Sequence, residues 1–130
     1  MKMRRIDHVV LTVSDLEESM RFYHEVFDMP VIEQQTTTDV ITLRCGHQLI
    51  RLQKADRDTA LKAPHPTTGA ADLCLVAGDQ VDDILHHLRS YYVDVVEGPV
   101  QKYGSEGEMT SIYVHDPDQN LIEIAVYKNK

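Results

Sequence analysis

The sequence predicts an α+β fold made of two βαβββ modules, and three observations carry that prediction. Strand-like and helix-like segments follow one another in the same order twice along 130 residues. A polar stretch at 55–70, ADRDTALKAPHPTTGA, divides the two runs and holds two prolines and a glycine. Displacing the chain by 64 residues lays His8 over Asp72, Met20 over Ile84 and Phe27 over Tyr91 without a gap.

Each element has a local reason. IDHVVLTV, 6–13, is β-branched and apolar and reads as a strand. Ser14 with Glu17 forms a capping-box signature for the helix SDLEESMRFYHEVFD. Leu16, Met20, Tyr23 and Phe27 share one face of it, and Pro30 marks its end. MPVIEQQ reads as a short strand. DVITLR (39–44) and QLIRLQ (48–53) are two more, joined by a turn at Cys45-Gly46-His47. After the linker, ADLCLVA (71–77) is a strand. Asp79 to Tyr92 is a helix with Val81, Ile84, Leu85 and Leu88 on one face. Val93 to Glu97 is a strand, VQKYGSEGE a loop, and MTSIYVH and NLIEIAVY are strands around the turn Asp116-Pro117-Asp118. PVIE (30–33) then falls on DVVE (94–97), while LIRL (49–52) matches LIEI (121–124) at a displacement of 72. The eight extra residues fit the loop around Gly104 and Gly107. Module one spans about 4–54 and module two about 71–128, within a single domain of 130 residues.

Composition excludes several classes. Hydrophobic residues make up 42% and charged residues 26%, enough for a core and unlike a disordered chain. A formal net charge of −8 argues against nucleic-acid or anionic-membrane partners, which need clustered Lys and Arg. Lys2, Arg4 and Arg5 read as a solvated terminus. No apolar run approaches the roughly 18 residues of a membrane span, and the N-terminus lacks a signal-peptide apolar region. Cys45 and Cys74 have no zinc spacing. A soluble cytoplasmic protein with free thiols is expected.

Two βαβββ modules that open with IDHVVLTV and close with DPDQNLIEI resemble the vicinal oxygen chelate superfamily, which includes glyoxalase I, extradiol dioxygenases and fosfomycin-resistance enzymes. GPVQKYGSEGEMTSIYVHDPDQNLIEI and APHPTTGAADLCLV are similar to the small glyoxalase-domain proteins in particular. Gln119 stands where that family usually has Gly after DPD. The resemblance implies a mixed sheet curled around a cleft, with the helices outside. It also implies a divalent metal held there from equivalent strand positions, within one chain or across a dimer. A homodimer is expected.

Strand alternation decides which side chains share a face. Val9, Leu11 and Val13 pack, leaving His8, Val10 and Thr12. Ile50 and Leu52 pack, leaving Leu49, Arg51 and Gln53. Leu73 and Leu75 pack, leaving Asp72 and Cys74. Ile122, Ile124 and Val126 pack, leaving Leu121, Glu123 and Ala125. The repeat then makes His8, Arg51, Asp72 and Glu123 equivalent positions.

The resemblance assigns His8, Asp72 and Glu123 as metal ligands and Glu123 as the catalytic base, on one divalent ion among Ni, Zn, Mn, Mg and Fe. Such donors suit these ions, which polarise substrate oxygens while a carboxylate works on an adjacent carbon. Arg51 stands where glyoxalases place a carboxylate, and arginine cannot ligate a metal. It either pairs with Glu123 or anchors an anionic substrate group. Tyr113 and Gln53 join Arg51 as substrate-binding candidates. Each residue also has a plain structural reading: His8 as a hydrogen-bonded core histidine, Asp72 as a polar strand entry, Tyr113 as packing. His65 reads as a surface-loop histidine, His86 and His87 as the solvated edge of a helix. Cys74 has no basic partner at a recognisable spacing. Three functions stay open: a metal-dependent glyoxalase-type lyase or isomerase acting on a small oxygenated molecule, an extradiol-type dioxygenase, and a metal-free small-molecule binding protein.

Overall fold

The structure is a computed structural model that describes residues 1–128. The chain forms two compact units, one from Met1 to Ala70 and one from Ala71 onward.

The first unit runs β1 (His8–Val13), α1 (Leu16–Arg21), a π-helical turn (Phe22–Val26), a 3-10 turn (Glu33–Gln35), β2 (Val40–Cys45) and β3 (Gln48–Lys54). Its sheet has the order β1-β3-β2, with β1 parallel and β2 antiparallel to β3. Leu11, Val13, Leu43, Ile50 and Leu52 bury one side of it, as alternation requires, and α1 lies against β2 and β3.

Three expectations for this unit change. The helix cap is Asp15 rather than the Ser14–Glu17 box: its carboxylate accepts from the Glu18 N–H at 3.0 Å. From Phe22 the helix widens into a π turn, which lets Phe22, Tyr23 and Phe27 meet edge to face and buries Tyr23 completely. MPVIEQQ does not form a strand. Val31 makes one bridge to Leu43, and the chain then coils at Glu33–Gln35. Side chains favour that coil: Thr36 Oγ1 donates to the Ile32 carbonyl, and the buried Thr42 donates to the Gln35 carbonyl at 2.7 Å.

The second unit runs β4 (Asp72–Val76), α2 (Val81–Ser90), β5 (Glu97–Gly104), β6 (Gly107–His115) and β7 (Leu121–Tyr127). The sheet order is β4-β7-β6-β5, with β4 parallel to β7 and the rest antiparallel. α2 buries Ile84 and Leu88, the face that periodicity marks. Here the expected loop VQKYGSEGE is largely strand. β5 and β6 form a tight hairpin around Ser105 and Glu106, with Gly107 at φ 114. Val93 to Val96 lie outside the strand, which starts at Glu97. β5 is an edge strand with exposed polar positions, so it lacks the apolar alternation that reveals a strand.

The fold is thus α+β, with two mixed sheets of three and four strands rather than one curled sheet. The repeat shows in the ladders. His8 faces Leu49 and Val10 faces Arg51; Asp72 faces Leu121 and Cys74 faces Glu123. These pairings map onto each other under the 64- and 72-residue displacements.

Candidate functional site

The candidate residues fall into one group per unit. In the first, β1 and β3 place His8, Thr12, Arg51 and Gln53 on one face. His8 Nε2 lies 3.2 Å from Arg51 Nη1, and its Nδ1 lies 2.8 Å from the Asp7 carboxylate. A guanidinium only donates, so Nε2 accepts and Nδ1–H donates to Asp7. That hydrogen bond, more than any other influence, holds the Asp7 carboxyl below the usual carboxylate range. Arg51 Nη2 donates to Gln35 Oε1 at 2.8 Å. Gln53 is buried rather than open: its amide donates to Thr12 Oγ1 at 2.9 Å and accepts from Arg57 Nη1 at 3.2 Å.

In the second unit, β7 carries Glu123 at its centre, half-buried, between Cys74 on β4 and Tyr113 on β6. The fully buried Ser111 donates to Glu123 Oε2 at 2.6 Å, a charge-assisted length. Ser111 is itself fixed by its neighbour strand. At Gly98, φ is 107, and a Cβ there would meet the Ser111 carbonyl at 2.5 Å, so only glycine lets β5 approach. Desolvation, and then the Glu123 and Asp72 carboxylates, push the Cys74 thiol up to about 11, although Cys74 keeps one side open to solvent. Desolvation and the Glu123 charge and hydrogen bond raise the Tyr113 phenol as well. Lys102 Nζ sits 6.0 Å from the centre of the Tyr113 ring. Asp72 is exposed at the start of β4.

The donor set does not fit a divalent ion as arranged. The Nε2 lone pair of His8 is taken by the Arg51 guanidinium, a cation that would repel a metal there. Among the described residues no three His, Cys, Asp or Glu side chains gather as a metal-holding group.

Ser111, two residues before Tyr113 on the same face of β6, had no role in the sequence reading. The LIRL–LIEI match, with strand pairing, is the signal that sets Glu123 beside its neighbours. Asp7, Gln35 and Arg57 were missed. Gln35 depends on the 3-10 turn, for which the apolar MPVI gave no hint. His65 sits in an exposed loop, and His86 and His87 are exposed on α2.

Paired strand–helix–strand units, each closing its last strand in parallel on its first, define the class of protein. The model of the Glyoxalase/Bleomycin resistance protein/Dioxygenase superfamily matches residues 5–124, and the chain belongs to that superfamily. It is similar to virulence protein STM3117 of Salmonella typhimurium strain LT2, at 40% identity over 95% of this chain and 84% of that protein. It is also similar to glyoxalase domain-containing protein RDO1 of Mycosarcoma maydis, at 37% identity over 99% of this chain and 72% of that one. Among solved structures, an integron cassette protein of V. cholerae superposes with a TM-score of 0.92 at 37% identity, covering 98% of both chains.

Proposed function

We propose that the chain is a glyoxalase-type lyase or isomerase acting on a small oxygenated molecule, such as a thiol adduct of an α-oxoaldehyde, with Glu123 as its proton-transfer group. The observation that carries this reading is the setting of Glu123: a half-buried carboxylate steered by a buried serine hydroxyl at 2.6 Å. Its neighbours Tyr113 and Cys74 both hold their protons. A carboxylate so placed takes the proton from the carbon next to a carbonyl, and the electron pair moves into the carbonyl oxygen to give an enediolate. Return of the proton to the neighbouring carbon, with the remaining hydroxyl proton passing to the enediolate oxygen on that carbon, gives the hydroxy thioester and completes an isomerisation with no net gain or loss of atoms. Tyr113, kept protonated and hydrogen-bonded to Glu123, turns its one O–H to the developing oxyanion as Glu123 takes up the proton. RDO1 carries a glyoxalase domain by name, which agrees with this class.

The test is to supply the hemithioacetal of methylglyoxal and glutathione to the protein, with and without added nickel or zinc, and to follow lactoylglutathione. Wild-type protein is expected to form it, and Glu123→Gln to be slower by roughly a hundredfold or more. Equal rates in both would remove Glu123 from the chemistry. Oxygen uptake with a catechol would shift the reading to a dioxygenase.

A second reading, a metal-free binding protein, is favoured by one contact: Arg51 Nη1 on the Nε2 of His8. Saturable binding of a small anion with no turnover under any metal would select it.

A further inference from the structure

Glu123, Tyr113 and Glu97 stand in a row across one face of the second unit's sheet. Glu123 on β7 faces Tyr113 on β6, and Tyr113 faces Glu97 on β5. Directly opposed residues project to the same side, with Cβ atoms about 4.5–5.5 Å apart. The half-buried phenol ring therefore lies between two carboxylates. A bulge puts Glu97 there. Between the pairs Glu97–Tyr113 and Val100–Ser111, β5 has one residue more than β6. Without that extra residue Glu97 would project to the opposite face. Gly98 sits in the bulge, and its φ of 107 and the Ser111 carbonyl beside it leave no room for a side chain. After desolvation, the largest cause, the charges of Glu123 and Glu97 are among those that disfavour ionisation of the Tyr113 phenol.

A ring flanked by carboxylates attracts an ammonium group, through the negative face of its π system and through the flanking charges. The chain's own Lys102 shows that chemistry. Its Nζ stands 6.0 Å from the centre of the Tyr113 ring. Lys102 faces Met109, and alternation carries Met109, Ser111 and Tyr113 to one side, so the lysine belongs to the same face. Among the described residues Lys102 is in no ion pair, and Glu97 is in no ion pair or hydrogen bond; the ion pairs found are His8–Asp7 and Lys54–Asp39. Both Lys102 and Glu97 are exposed. The lysine is thus held only at the outer reach of a cation–π contact. From Ala71 to Lys128 the other Lys and Arg residues are Arg89 and Lys128, against a large excess of Asp and Glu, so the field of this unit draws cations in.

We propose that Tyr113, flanked by Glu97 and Glu123, binds the ammonium group of a small molecule, and that Lys102 occupies the position until such a molecule displaces it. The inference rests on the reading of the protein as one that takes a small oxygenated molecule at Glu123, and it gives that molecule a cationic end. It carries an unusual sign: removing the lysine strengthens binding of the ligand, because the ligand no longer competes with a tethered ammonium.

Titration of tyrosine-labelled protein at low salt tests this, with the Tyr113 ring signals followed by NMR. The probes are choline and its uncharged isostere 3,3-dimethylbutan-1-ol. Choline is expected to shift the Tyr113 signals saturably and to bind at least about fivefold tighter than the isostere. Glu97→Gln should weaken choline binding by roughly threefold to tenfold, and Lys102→Gln should tighten it by a similar factor. Both positions are exposed, so both variants keep the fold. Arg89→Gln, the same change of charge on α2, should leave the affinity unchanged and so separates displacement of Lys102 from a general change in net charge. No saturable shift of Tyr113, equal binding of choline and the isostere, Glu97→Gln binding like wild type, or Lys102→Gln binding no tighter than Arg89→Gln would each overturn the inference. Binding is read without turnover. A lyase that ignores choline sinks this inference alone, and choline binding without lyase activity sinks the functional reading alone.

Discussion

At the scale of single residues, one carboxylate sets the chemistry of its neighbours. Glu123 sits opposite Cys74 and Tyr113, and its charge adds to desolvation, the larger cause, in holding both in their protonated forms. Cys74 is therefore an unreactive thiol. In chelator-treated protein its alkylation rate should rise with a midpoint near 11, against the ordinary 9.0, and Glu123→Gln should bring that midpoint down. The linkage has a definite sign. The folded thiol pKa lies above the unfolded one, so its contribution to stability is complete below pH 9.0 and is lost as pH rises towards about 11. Denaturant titrations across that window check it. Arg51 is the other decisive residue. Because its guanidinium caps His8, Arg51→Glu should turn a repelled metal position into an attractive one, and zinc affinity measured by competition with a chelating dye should rise. An unchanged zinc affinity would show that Arg51 is not what excludes the ion.

At the scale of elements, the turn between β6 and β7 shows how a polar motif builds the strand that carries Glu123. Asp116, nearly fully buried, accepts from the backbone of Asp118 and Asn120 at 2.9 Å each and from the Asn120 amide at 2.8 Å. Asn120 Oδ1 in turn accepts from the Ala71 N–H at 2.8 Å, tying the turn to the start of β4. Asp116→Ala should cost about 2–4 kcal/mol in denaturant unfolding, since it strands several buried donors. Gln119 lies at φ 69, a left-handed conformation. The family's usual Gly there has a physical basis, and Gln119→Gly should stabilise by about 1 kcal/mol or less, the strain relieved being partly offset by a more flexible unfolded chain. A loss of stability would mean the Gln119 side chain contributes more than its backbone costs. The elements that the sequence does not reveal have separate causes. β5 is an exposed edge without apolar alternation, and Glu33–Gln35 is set by side-chain contacts of Thr36 and of Thr42 on the strand that follows.

For the whole molecule, the internal repeat is the organising fact. The β1–β3 and β4–β7 ladders have the same register under displacements found from residue identity alone. The α2 face, Ile84 and Leu88, was therefore legible, whereas the first helix buries Ser19, Tyr23 and Val26 in place of the Leu16–Met20–Phe27 face, and strand order and parallel closure come from the pairings alone. Packed positions such as Leu11, Leu52, Ile122 and Ile124 follow from a period of two, which burial enforces. Among the described residues no helix is long and apolar enough to cross a membrane.

By itself the sequence determined the α+β modules, their repetition and the family, because alternation and helical period are local and recur wherever a face must be buried. It also determined that Arg51 and Glu123 are equivalent positions. Only the tertiary structure decided what those two side chains touch. Arg51 reaches His8 and Gln35, and Glu123 reaches Ser111, contacts between residues 43, 16 and 12 positions apart. Hydrogen bonds between side chains depend on register, rotamer and the path of the intervening chain, and no periodicity in the sequence encodes these.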